Sequence, residues 1–124
     1  DNGPRWLGLR VRDADRLRAL APDHGALKSL AKVGLIAPQT AGSDTDFEVR
    51  AFAAPLGIEE DPVTGSLNAS LAQWLISAGH APARYVAAQG TAMGRAGRVR
   101  VEQDGETIWI GGDVAACISG TVTL

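Results

Sequence analysis

From Arg5 to Arg12 apolar and polar positions alternate, with Leu7, Leu9 and Val11 on one side and Gly8, Arg10 and Arg12 on the other. That period of two predicts a half-buried strand. The spacing then lengthens. Asp13 is placed to cap a short helix carrying Leu17, Leu20 and Ala21 and stopped by Pro22, and a second helical pattern with Leu27, Leu30 and Ala31 ends at Gly34. Both read as amphipathic surface helices. Leu35 and Ile36 predict a brief strand, the polar run Gln39 to Asp46 a loop, and Phe47 to Ala53 a further extended segment.

The segment Ser66 to Ala78 places Leu67, Leu71, Trp74, Leu75 and Ala78 at helical spacing, with Gly79 and Pro82 as the stop. The other side of this helix carries Asn68, Ser70, Gln73 and Ser77, and no Lys, Arg, Asp or Glu occurs on it. A helix without charge on any side is expected to be enclosed by protein. Tyr85 to Ala88, Val99 to Glu102 and Ile108 to Ile110 read as strands, with Asp104-Gly105 as a hairpin signal between the last two. Val122 and Leu124 alternate with Thr121 and Thr123 in a closing strand. The economical arrangement is an α+β fold: a curved, mostly antiparallel sheet, an open barrel, wrapped around one central buried helix, which hides the uncharged surface and protects the sheet edges.

Composition narrows the class. At 124 residues and 45% apolar content the chain is expected to form a single domain over residues 1–124. A formal charge of −2 gives no footprint for a phosphate backbone, so nucleic acid is not an expected partner. The longest uncharged stretch, Pro62 to Ala83, is broken by Thr64, Ser66, Asn68, Ser70, Gln73 and Ser77 and is too polar to span a bilayer, so no membrane association is expected. One cysteine, Cys117, excludes an internal disulfide and a multi-cysteine zinc site. It reads as a small buried hydrophobe with an inert thiol, and a cytoplasmic location is the default expectation. The chain starts at Asp1 with no Met and no leader-like segment, which suggests a fragment.

The densest chemistry lies in Glu59-Glu60-Asp61-Pro62-Val63-Thr64-Gly65-Ser66, a turn feeding the uncharged helix. A helix N-terminus presents unpaired N–H groups and about half a positive charge, which suits a carboxylate or phosphate. Gly65 lets an anion approach the backbone, Thr64 and Ser66 offer hydroxyl donors, and Asp61 is near enough in sequence to move a proton beside the anion. The same residues also fit a plain cap, with Asp61 as N-cap, Pro62 at the first helical position and Glu59 and Glu60 in solvent. Spacing leaves both readings open. Gly90, Gly94 and Gly97 match no nucleotide-binding fingerprint and read as turn glycines. His24 and His80 lack companions at ligand spacing, so no metal site is expected. Arg98 and Arg100 mark the solvent face of a strand, and Trp6, Trp74 and Trp109 read as packing residues.

Three blocks, Asp46-Phe47-Glu48-Val49-Arg50-Ala51-Phe52, Glu60-Asp61-Pro62-Val63-Thr64-Gly65-Ser66, and Gln89-Gly90 with Gly94-Arg95-Ala96-Gly97, resemble the phenazine-biosynthesis (PhzF-like) family. Asn2-Gly3-Pro4-Arg5-Trp6 and Gly111-Gly112 extend the likeness over the whole chain, which resembles the family's second half. The resemblance implies a diaminopimelate epimerase-like fold of two lobes, each a sheet about a central helix, with the reaction in the cleft between them. This chain is then the C-terminal lobe. The best-known member is a cofactor-free isomerase that moves a proton on a dihydro-hydroxyanthranilate ring, using a glutamate of the first lobe as acid/base. Carried over, Asp61 matches the active-site aspartate and Ser66 the serine that contacts substrate, while Gly65 and the following N–H groups hold the substrate carboxylate.

The expected function is therefore the C-terminal half of a cofactor-independent isomerase or epimerase that binds a small carboxylate and assists proton transfer. The expected partners are that carboxylate and an N-terminal lobe, in cis or in trans. A homodimer imitating the absent lobe is a further possibility. Alone, without the first-lobe glutamate, the chain is expected to be inactive. The alternatives are a non-catalytic carboxylate-binding module, an inactive fragment, or a protein-association domain in which Asp61→Asn and Ser66→Ala change nothing.

Overall fold

The structure, a computed structural model, describes residues 3–123. Asn2 of the opening motif and Leu124 of the expected closing strand lie outside the described residues. The strands are β1 (Leu7–Arg10), β2 (Val33–Pro38), β3 (Phe47–Ala53), β4 (Ile58–Asp61), β5 (Arg84–Gln89), β6 (Gly97–Asp104) and β7 (Thr107–Gly111). The helices are α1 (Ala14–Ala19), α2 (His24–Lys28) and α3 (Gly65–Ser77). The strands form one 7-stranded sheet in the order β1-β2-β3-β5-β6-β7, with β4 also paired to β3. β1–β2 and β3–β5 are parallel and the other pairs antiparallel. This mixed sheet curls into a half-barrel against α3.

The register explains where the site falls. Along one edge of β3, its first half pairs with β5 through Val49↔Gln89, and its second half with β4 through Ala51↔Asp61. The ends of β4 and β5 therefore meet on β3 two residues apart. Val49 and Ala51 lie on the face toward α3, and paired residues share a face. Asp61 and Gln89 are thus delivered side by side to the start of that helix. Asp61 terminates a strand that the acidic sequence Glu59-Glu60-Asp61 does not announce.

Each face of the sheet has its own core. On the inner face Ile36, Val49, Ala51, Tyr85, Ala87, Val99 and Val101 pack against Leu67, Leu71, Ala72 and Leu75 of α3, each leucine contributing about 1.5–3 kcal/mol by burial. Gly34 permits the approach, because a Cβ there would stand 2.1 Å from a Leu67 methyl. On the outer face Leu17 of α1 joins Val33, Leu35, Ala37 and Phe52. The Asp13 carboxylate accepts the Arg16 N–H at 2.8 Å and Asp23 that of Ala26 at 2.9 Å, so both short helices start at side-chain caps.

Several expectations are corrected. α3 is not enclosed all round: Gln73, Trp74 and Ser77 are exposed, because the half-barrel covers one side only. Asn68 belongs with the buried side. Leu7 and Leu9 lie beside Val33 and Leu35 on the outer face but are about half exposed, at 51% and 46%, since β1 is an edge strand. Residues 112–123 form no strand and their side chains are exposed, Cys117 among them, so its buried reading fails. Trp109 is 63% exposed on edge strand β7 and Trp74 42% on the open side of α3. Trp6 does pack, under the Lys32 ammonium at 4.8 Å. Arg98 and Arg100 face outward, as expected, onto Asp44 and Asp113. No helix among the described residues is long and apolar enough to cross a membrane.

Candidate active site at the amino end of the central helix

The N-cap of α3 is Thr64, not Asp61, and its side chain accepts no hydrogen bond from the first turn. The plain-cap reading in the form Asp61-Pro62 therefore does not hold. The Thr64 hydroxyl instead donates to Asp61 Oδ2 at 2.6 Å, fixing the carboxylate beside the helix start. A short O–H···O bond to a carboxylate is among the stronger kinds.

A buried carboxamide network supports this corner. Gln89 is fully buried. Its Nε2 donates to Asp61 O at 2.9 Å and to Thr64 Oγ1 at 3.0 Å, while its Oε1 accepts the Thr64 N–H at 3.1 Å and Asn68 Nδ2 at 2.8 Å. Asn68 Nδ2 also donates to Thr64 O at 2.9 Å. One side chain at the end of β5 thus holds the last residue of β4 and the first turn of α3 together. Gly97 keeps the gap narrow, since a Cβ there would meet Gln89 O at 2.5 Å and Val63 Cγ2 at 2.7 Å.

Gly65 is exposed, and a Cβ built on it meets nothing within 4 Å. Ser66, half-buried, accepts the Trp6 indole N–H at 3.2 Å. The corner therefore offers backbone at the positive end of an uncharged helix, with a hydroxyl and a carboxylate alongside. Of the expected site residues, the fold brings Asp61, Thr64, Gly65 and Ser66 together, with Thr64 turned inward. Along the open side of α3 a cavity of about 230 Å³ continues from Trp6 past Ser70 to Trp74.

Glu59 is exposed, whereas Glu60 is largely buried and turned to the other face. Its carboxylate accepts from Arg50 Nε at 2.9 Å and Nη2 at 2.7 Å, and Arg50 Nη1 donates to Leu17 O, Arg18 O and Leu20 O at 3.1, 3.3 and 2.7 Å. The two acids of Glu60-Asp61 are divided by the strand pleat between a structural ion pair and the corner. Sequence reading passed over Gln89 and Asn68 as supports. Their signal was polarity inside an apolar period, Gln89 in step with Tyr85 and Ala87, Asn68 beside Leu67 and Leu71.

Among the described residues no group of three or more His, Cys, Asp or Glu is arranged to hold a metal. Residues 1–120 match the sequence profile described as "Phenazine biosynthesis-like protein". The chain belongs to this family. Within the phenazine biosynthesis-like family it is 40% identical, over 92% of its own length and 42% of the relative's, to a Pseudomonas aeruginosa protein named an uncharacterized isomerase. It is 28% identical, over 97% of its length and 44% of the relative's, to antisense-enhancing sequence 1 of Schizosaccharomyces pombe. Among solved structures, a putative phenazine biosynthesis PhzC/PhzF protein from Clostridium difficile aligns with a TM-score of 0.71 at 28% identity, covering 96% of this chain and 45% of that one. A PhzF-family protein from Enterococcus faecalis aligns at 0.69 and 28%, covering 85% and 39%. The chain thus spans less than half the length of these relatives.

Proposed function

We propose that the chain is the C-terminal lobe of a cofactor-independent isomerase or epimerase, binding a small carboxylate at the start of α3 and assisting proton transfer next to it. The observation that carries the reading is the Thr64 hydroxyl. In an ordinary helix the N-cap side chain serves the first-turn N–H groups, but here it is committed to Asp61 at 2.6 Å, which sets that carboxylate beside the exposed Gly65 at the helix start. Gly65 and Ser66 then meet the substrate carboxylate, Thr64 positions Asp61, and Asp61 is the acid/base on this side of the substrate. The second acid/base comes from an N-terminal lobe, in cis or in trans, or less economically from a second copy of the chain.

A binding module without turnover is the second reading. It is favoured by Glu60, whose engagement with Arg50 leaves Asp61 as the one carboxylate at the corner among the described residues.

Backbone-amide NMR with a ring carboxylate, an aminobenzoate, and its uncharged carboxamide tests the site. The acid is expected to shift Gly65 to Asn68 and the carboxamide to leave them unmoved. Absence of any shift there, or an equal response to both, overturns the assignment. Joining the chain to the first half of the P. aeruginosa relative and following solvent deuterium into test acids then separates the readings, because only the isomerase incorporates it.

A further inference from the structure

On the outer face of the sheet, away from Asp61, lies a second polar site that the proposed function does not use. Glu48 of β3 has a side chain only 1% exposed. Its Oε2 accepts from Arg18 Nη1 and from Gln39 Nε2, each at 3.1 Å. Its Oε1 is buried and accepts no hydrogen bond among the described residues. Burying a charged oxygen without a hydrogen-bond donor is costly, so Oε1 is the atom at which a further donor gains most.

Glu48 forms part of the wall of a cavity of about 420 Å³, with Arg18, Gln39, Thr45, Thr91 and Arg98 around it. That volume suits a small molecule. Glu48 does not have its guanidinium to itself. Arg18 is shared between Glu48 at 3.1 Å and Asp15 at 2.6 Å, the latter a carboxylate outside the cavity, and Arg98 is taken by Asp44 at 2.8 Å, so Glu48 is only partly neutralised although the lining carries two carboxylates and two guanidinium groups. A divalent cation asks for six or more oxygen ligands, several of them carboxylate, which this wall does not supply. A compact ammonium group matches both deficits, bringing N–H donors and one positive charge.

We propose that this cavity binds a small primary ammonium compound, whose N–H donates to Glu48 Oε1 while its polar substituents meet the hydroxyls of Thr45 and Thr91. Gln39, which donates to the neighbouring Oε2, sits on the irregular segment 39–46 between β2 and β3. The inference is independent of the reading of the Asp61 corner, which lies across the sheet.

Titration of the whole chain with ethylammonium, ethanolammonium and tetramethylammonium at constant ionic strength, followed by NMR, tests it. The first two are expected to give saturable shifts at the Gln39 side-chain amide, the Glu48 carboxyl carbon and the Thr45 and Ala88 amides. Tetramethylammonium, which has no N–H, is expected to give none. Glu48→Gln, which keeps the shape but removes the charge, is expected to weaken binding about tenfold or more. Thr91→Phe at the exposed mouth is expected to block entry without touching the Glu48 pairs, and it decides the matter if Glu48→Gln does not fold. The proposal is overturned by lack of saturation, by an equal response to tetramethylammonium, or by undiminished binding to a folded Glu48→Gln or Thr91→Phe variant.

Discussion

Gln89 shows how much one buried side chain decides here. It uses both ends of its carboxamide to tie Asp61, Thr64 and Asn68 into one unit, and a leucine of similar length can replace none of those bonds. Gln89→Leu is expected to destabilise the chain by about 3 kcal/mol, the cost of several buried groups left unpaired, with the loss read by urea unfolding. Tyr85 is the opposite case: a buried hydroxyl without a partner among the described residues, its ring packed edge-on to Phe47 at 5.0 Å. Tyr85→Phe keeps that contact and is expected to be neutral or mildly stabilising at pH 7. Burial pushes the Tyr85 phenol up to about 12, against about 10 in an unfolded chain. The folded protein therefore keeps this proton where the unfolded chain loses it, so the contribution is complete below about pH 10 and is lost as the pH rises toward about 12. The phenylalanine variant is expected to show a shallower alkaline fall in stability, measured by denaturant midpoints across that range.

At the scale of elements, the Arg50–Glu60 pair joins β3, β4 and the end of α1 through one guanidinium. Both side chains are at most 10% exposed, so removing one partner leaves a buried charge. Glu60→Ala is expected to cost about 3 kcal/mol, the lower end for a broken buried pair, because Arg50 retains its three carbonyl acceptors. Arg84 and Glu102 pair across β5 and β6 in the open, with side chains 77% and 48% exposed. Arg84→Ala is accordingly expected to cost less than about 1 kcal/mol, and paired thermal melts of the two variants check the contrast. Phe47–Ala53 and the Asp104-Gly105 turn signal were legible in sequence because alternation and turn chemistry are local. α3 was legible within one residue at each end for the same reason. β4 was not, since a short acidic strand has no apolar period and exists because β3 has an unpaired edge to offer it.

For the whole molecule, the half-barrel leaves one uncharged side of α3 in solvent and both β1 and β7 as edges. An uncharged helix face is ordinarily covered, which supports the proposal that a second lobe completes the particle. The chain by itself is expected to incorporate no solvent deuterium into candidate acids, because among the described residues Asp61 has no opposing acid/base across the corner. Mass spectrometry of the recovered acids checks this, and sustained turnover by the chain alone removes the two-lobe proposal.

The amino-acid sequence by itself determined most strands, the three helices with the Asp13 cap of the first, the absence of charge on α3, and the Asp61 to Ser66 motif with the family it belongs to. These depend on periodicity, capping chemistry and residue order, which are local. Tertiary structure alone decided that Glu60 and Asp61 part to opposite faces, that Thr64 serves Asp61 rather than its own helix, and that Gln89 braces the corner from 25 residues away. Such outcomes follow from sheet register and from hydrogen bonding between groups distant in the chain. No local pattern encodes where two strand ends meet along a third.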